Sequence, residues 1–140
     1  MIVPQEIYHP LYTDTEKFII LITGGRGSGK SFNASTFIER LTFEMTPVEK
    51  IVHQILYTRY TMVSAGMSII PEMMEKIDLD GTTKYFKTTK TDIVNKMTKS
   101  RIMFRGIKTS SGNQTAKLKS IQGITTFVCD EAEEWTSEDE

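Results

Sequence analysis

Cysteine is nearly absent. Cys129 is the only one in 140 residues, so no disulfide can form within the chain, and a reducing compartment is expected. No apolar run approaches membrane-spanning length. The opening Met1-Ile2-Val3-Pro4-Gln5-Glu6 lacks the basic and then apolar regions of a secretory signal, so neither a membrane nor an export route is expected. Histidine is limited to His9 and His53, too far apart in sequence to read as a metal-binding pair. No internal repeat or low-complexity segment interrupts the sequence, and its length allows one domain, residues 1–140, with a real core.

Net charge is also lacking, at −1, but the near-neutral total hides an uneven distribution. From Thr82 to Gly123 there are ten basic residues (Lys84, Lys87, Lys90, Lys96, Lys99, Arg101, Arg105, Lys108, Lys117 and Lys119) against one acid, Asp92. From Asp130 to Glu140 there are seven acids and no base. A basic, polar segment with a few aromatics can track a phosphodiester backbone. The plainer reading is a lysine-rich solvated face, and the ten-to-one excess favours nucleic acid.

The chain is organised around Phe18-Ile19-Ile20-Leu21-Ile22-Thr23 followed by Gly24-Gly25-Arg26-Gly27-Ser28-Gly29-Lys30-Ser31. The spacing is G-x-x-x-x-G-K-S, the phosphate-binding loop, set between an expected strand and an expected helix. Glycines let successive backbone N–H groups turn toward one point, and the helix N-terminus adds unpaired donors and its positive dipole end. Lys30 is placed to reach the β- and γ-phosphates of a nucleotide, and Ser31 to ligate Mg²⁺.

Residues 1–16 read as an irregular lead-in broken by Pro4, Pro10 and Asp14. One of Tyr8, Pro10 and Tyr12 would pack on an adenine ring or, as we favour, the lead-in covers a sheet edge. Phe18–Thr23, apolar on both faces, is expected as a central parallel strand. Ala34, Phe37, Ile38, Leu41 and Met45 form one helical stripe that Pro47 ends. Ile51–Thr58 reads as a second strand with a structural His53 inside it. Just past its end, Arg59 faces a ligand crevice or is simply solvated. A helix kinked at Pro71 is expected over Thr61–Ile77, with its methionines as core filler. Between Thr82 and Gly123 short strands at Tyr85-Phe86, Ile93-Val94 and Ile102–Phe104 suggest an antiparallel insertion rather than another βαβ unit.

The second decisive stretch is Ile124-Thr125-Thr126-Phe127-Val128-Cys129-Asp130-Glu131, an apolar strand ending in two acids. This is the Walker B pattern. At the carboxyl end of a strand, Asp130 can complete the Mg²⁺ shell begun by Ser31, and Glu131 can orient an attacking water. An Asp-Glu pair favours hydrolysis over phosphoryl transfer to a small acceptor, which counts against a small-molecule kinase.

These residues bring a family into view. Gly24-Gly-Arg-Gly-Ser-Gly-Lys-Ser31, Phe104-Arg-Gly106 and Asp130-Glu-Ala-Glu-Glu134 resemble the large terminase subunit of tailed double-stranded DNA phages and prophages, of the PBSX-like type, over roughly residues 8–140. The resemblance implies an ATP- and Mg²⁺-dependent motor that drives double-stranded DNA through a portal protein into a procapsid. It works beside a small terminase subunit in the bacterial host cytoplasm, and it implies a ring of copies for the whole protein. Carried over residue by residue, Gly24, Gly25, Arg26, Gly27, Ser28, Gly29, Lys30 and Ser31 hold nucleotide. Ser31 and Asp130 hold the metal, Glu131 is the catalytic carboxylate, and Arg26 senses nucleotide or couples hydrolysis to movement.

The departures carry weight too. No acidic cluster suited to the family's nuclease domain is present, and the coupling motif and strand expected after Walker B have no counterpart. The expected fold is therefore α/β: a P-loop NTPase core with a parallel central sheet and a basic antiparallel insertion, truncated after the Walker B strand. The rivals are a helicase-like nucleic-acid-dependent ATPase and a nucleotide-binding remnant without turnover. The missing strand supports the latter, and a nuclease domain encoded downstream would decide against the former.

Overall fold

At the centre of the molecule lies β1, Gln54–Thr61, a run of β-branched and aromatic residues in the computed structural model, which describes residues 1–14, 19–25, 27–44, 52–61, 69–108 and 121–131. Two strands flank β1 in parallel. On one side is β4, Arg101–Lys108, registered Ile55↔Ile102 and Tyr57↔Phe104. On the other is β5, Thr126–Cys129, registered Leu56↔Phe127 and Thr58↔Cys129. Two short strands, β2 (Phe86–Thr88) and β3 (Asp92–Asn95), extend the β4 side as an antiparallel pair, giving the order β2-β3-β4-β1-β5. The fold is thus mixed α/β, with a parallel centre and an antiparallel flank.

Alternation along the strands sets the core. Ile55 and Tyr57 of β1, Ile102 and Phe104 of β4, Ile93 of β3 and Phe86 of β2 are all buried in one cluster. Two helices cover it: α2, Lys30–Leu41, through Ile38, and α3, Ile70–Leu79, through Met73 and Ile77. Each such side chain contributes about 1.5–3 kcal/mol of hydrophobic stabilisation. Phe43 meets Tyr85 and Phe86 edge-on, at centroid separations of 5.7 and 5.5 Å, and so ties the chain after α2 to the sheet flank.

Several sequence expectations change here. The lead-in is partly helical: a 3₁₀ turn at Glu6–Tyr8 runs into α1, His9–Thr13, where Pro10 sits in the first turn and needs no N–H partner. Strand β1 extends through Thr61, and Pro71 lies at the start of α3 instead of kinking a longer helix; residues 62–68 lie outside the described residues. Strand β4 pairs antiparallel with β3, as expected, but also parallel with β1, so it joins the antiparallel flank to the parallel centre.

Along α2 the buried positions are Asn33, Ser35, Thr36, Ile38 and Glu39, while Phe37 and Leu41 are half-buried against the core. The face packed inward is therefore more polar than the apolar stripe implies. Met45, Pro47 and Ile51 lie outside the described residues.

The largest difference concerns the expected first strand. Residues 19–23 form no strand, and Ile19 and Leu21 are 80% and 84% exposed. An apolar strand needs a hydrogen-bonding neighbour and cover on both faces. On the β1 side the sheet stops at β5, and residues 19–23 are not among its strands. Phe18 lies outside the described residues.

Candidate nucleotide site

The glycine-rich loop turns directly into α2. Gly29 is the N-cap, in the left-handed region at φ 79°, which only glycine adopts without strain. A Cβ there would also stand 3.2 Å from the Gln5 side-chain oxygen, so the site presses the N-terminal segment close to the loop. The cap supplies no side-chain hydrogen bond, and the first turn holds no acid. Its first amides thus have no acceptor from the cap side chain. Gly29 O accepts from both the amide and the side-chain nitrogen of Asn33, each at 2.9 Å, which pins the loop-to-helix junction.

Across the loop, Lys30 Nζ donates to Gly24 O at 2.5 Å. The Tyr8 hydroxyl donates to Ser28 O at 2.8 Å, so one of the lead-in aromatics does reach the loop. Tyr12 instead packs edge-on against Phe37, with the Arg40 guanidinium over its ring. Gly25 O accepts from Ser28 N at 3.3 Å, a turn that leaves Gly27 and Ser28 exposed. Ser31 is exposed on the first turn of α2, and Arg26 lies outside the described residues.

The second half of the site stands at the carboxyl end of β5. Asp130 N donates to Thr58 O at 2.9 Å, and Thr58 Oγ1 donates to Val128 O at 2.7 Å, so the pair of acids is anchored to the central strand. Glu131 follows in the left-handed region, at φ 52°, a conformation a non-glycine residue rarely takes. Buried Arg59, from β1, reaches both acids: Nε donates to Asp130 Oδ2 at 2.7 Å, and Nη2 lies 3.5 Å from Glu131 Oε1. Burial and the adjacent Asp130 carboxylate push the Tyr57 hydroxyl above its ordinary range.

The sequence left Arg59 between ligand and solvent; its place is on the two carboxylates. The signal for it was the position, just past the apolar part of a parallel strand and so at the crevice end of the sheet. Gln5, also missed, had no signal beyond its place in the lead-in. His53, expected inside the second strand, lies just before β1, which starts at Gln54; its Nδ1 is 3.3 Å from Thr125 Oγ1, and burial lowers its pKa.

Among the described residues no group of three or more His, Cys, Asp or Glu forms a cage for a metal. Mg²⁺ needs none, because it is commonly held by one or two carboxylates plus substrate phosphates. Two adjacent carboxylates are oxygen donors of the kind such an ion takes, and here Arg59 sits on both.

The basic stretch divides. Lys84, Lys87, Lys90, Lys96 and Lys99 are exposed on and around β2 and β3. Arg101 and Arg105 instead clasp Asp92, at 3.5 and 2.9 Å. Lys117 and Lys119 lie outside the described residues, as do residues 132–140.

A family model described as phage terminase large subunit matches residues 16–139, which take in the glycine-rich loop, the whole sheet and the Asp-Glu end of β5. The chain belongs to the phage terminase large subunit family. Membership gives it a nucleotide-binding, ATPase-type role in phage DNA packaging, with the ATP and Mg²⁺ use of that family. No curated protein matches the chain. Among the described residues no helix is long and apolar enough to cross a membrane.

Proposed function

We propose that this chain is the ATPase portion of a terminase large subunit, of the PBSX-like type, and that it hydrolyses ATP to drive double-stranded DNA into a procapsid. One observation carries the reading. The glycine-rich loop heads a helix packed on the core, and the Asp-Glu pair ends a strand parallel to the central one. A P-loop enzyme uses both of these features, a loop that heads a helix and acids that end a parallel strand, together with a strand before the loop that residues 19–23 do not form.

In this reading the loop amides and Lys30 hold the nucleotide phosphates, with Lys30 leaving Gly24 O for phosphate oxygens. Gly24, Gly25, Gly27, Ser28 and Gly29 let the backbone approach. Ser31 and Asp130 hold Mg²⁺, which when bound neutralises charge on the phosphate oxygens. Glu131, the more exposed of the two acids, orients water in line with the γ-phosphate and takes up its proton. Arg26 senses the nucleotide or couples hydrolysis to movement. The exposed lysines of the β2–β3 flank grip the DNA backbone, and the small terminase subunit, the portal protein and further copies in a ring are the expected partners.

A second reading, a nucleotide-binding remnant without turnover, is favoured by the exposed residues 19–21, which stand outside the sheet.

Mg²⁺-dependent ATP hydrolysis, with and without double-stranded DNA, separates the two readings. DNA-stimulated turnover that both Lys30→Ala and Glu131→Ala abolish is the result expected of a working ATPase. Nucleotide binding without turnover, lost only in Lys30→Ala, would establish the remnant.

A further inference from the structure

Arg59 lies on the two acids that the proposed function gives to the metal and to water. Its guanidinium matches a double negative charge with two nitrogens, one on each carboxylate. The fork comes from the central strand, whose neighbours on both sides are parallel, so its position is fixed by the core and not by a loop. Its side chain is only 10% exposed and that of Asp130 17%, which shields the contact from solvent screening. A divalent cation on Asp130 would stand beside the guanidinium on the same carboxylate, where the two positive charges repel.

We propose that Arg59 is the resident counter-cation of the Asp130–Glu131 pair, and that a divalent metal enters this site only by displacing it. The inference rests on the reading of Asp130 as a metal ligand. Arg59 is then a positioning residue. Without nucleotide it holds the two acids in place and keeps metal out. When nucleotide phosphates arrive, they help bind the metal and offer the released guanidinium a new anion. Metal binding thereby becomes dependent on nucleotide.

The test is the affinity of the full chain for Mn²⁺ alone, read from the electron paramagnetic resonance signal of the free ion. Arg59→Gln is expected to bind Mn²⁺ at least tenfold more tightly than the unmodified protein, and adding Asp130→Asn should remove the gain. Arg59→Lys, which keeps the charge but loses the fork, should gain less than Arg59→Gln. Unchanged or weaker Mn²⁺ binding in folded Arg59→Gln overturns the inference; it leaves the metal reading standing if Asp130→Asn still weakens Mn²⁺ binding in the presence of a non-hydrolysable ATP analogue. If Asp130→Asn has no effect there, the metal reading fails and the inference with it.

Arg59→Gln leaves a half-buried carboxylate unpaired and can fail to fold. The unmodified protein then provides the second measurement. In ¹⁵N-arginine spectra the Arg59 Nε–H resonance, assigned by its loss in Arg59→Lys, should move when Mg²⁺ and the analogue are added together and stay in place with Mg²⁺ alone. A resonance that does not move with both overturns the inference.

Discussion

Buried in the last turns of α2, Glu39 has no exposed surface. Its Oε1 accepts from Thr82 Oγ1 at 2.6 Å, and its Oε2 has no hydrogen-bond partner. Burial is the main cause that raises its pKa from 4.5 to about 7; the Thr82 bond pulls the other way and neighbouring Asp80 adds to the rise. Burial also acts to raise Asp80, but the Arg40 guanidinium, 3.0 Å away, and the Ile2 amide outweigh it and bring the carboxyl down to about 2. Glu39 thus favours its neutral form in the folded state. Its contribution to stability is complete below pH 4.5 and is lost as pH rises through 7, whereas that of Asp80 is present above 3.8 and is lost as pH falls through 2. Glu39→Gln should therefore stabilise the protein at pH 8 by about 1–3 kcal/mol and have little effect near pH 4.5. Thermal melts at the two pH values check this. Nothing in the spacing of α2 announced a buried acid, because the residues that enclose it, Asp80 and Thr82, follow α3, some forty positions later in the chain.

Elements were legible in the sequence wherever one short-range pattern decided them. Strands β2, β3, β4 and β5 fall at the expected apolar runs, and the helix after the loop begins at Lys30. The role of β4 was less legible, because parallel pairing with β1 is a tertiary choice that a short run of apolar residues does not declare. Pro71 reads the same way at the start of a helix as at a kink, and only its neighbours in space decide.

The junction between α2 and the β3–β4 turn also escaped the pattern. Fully buried Asn95 donates from Nδ2 to Thr42 Oγ1 at 3.1 Å, and its Oδ1 accepts from the amides of Met97 and Thr98. Thr98 Oγ1 donates to Thr42 O at 2.6 Å, which closes the link. Asn95→Ala would leave the two turn amides without that acceptor and should cost about 1–3 kcal/mol, seen as a lower urea midpoint with unchanged slope. Of the candidate site, the two motifs are patterns of the sequence itself, and the structure adds what their residues touch: Gly24 O for Lys30, and Arg59 for Asp130 and Glu131. The Arg59 contact and the Gln5 and Tyr8 approaches to the loop bring distant residues together and were not legible from spacing.

Across the whole molecule, charge is divided by position in the sheet. The exposed lysines lie on the antiparallel flank, and the acids Asp130 and Glu131 end β5 at the opposite edge. Lysines on an edge strand also discourage pairing with another chain, a use that needs no nucleic acid. Salt dependence tells the two roles apart. If the flank grips DNA, replacing Lys84, Lys87 and Lys96 together by Gln should make the slope of log affinity against log salt shallower by roughly 2–3, at about 0.9 for each phosphate no longer neutralised. An unchanged slope would leave the lysines to the edge-strand role. All three are exposed, so the melting temperature should hold in either case.

The central place of β1 has a kinetic consequence. Gln54 pairs with Arg101 and Ile55 with Thr126, so the middle strand gains its first parallel neighbour only after a long intervening segment is made, and its second later still. Closing such loops costs entropy before any contact repays it, and parallel pairing across long separations folds slowly. During synthesis the apolar ribbon of Ile55, Leu56 and Tyr57 emerges early, open to other nascent chains, and its cover from Ile102 and Phe104 comes only when β4 is made.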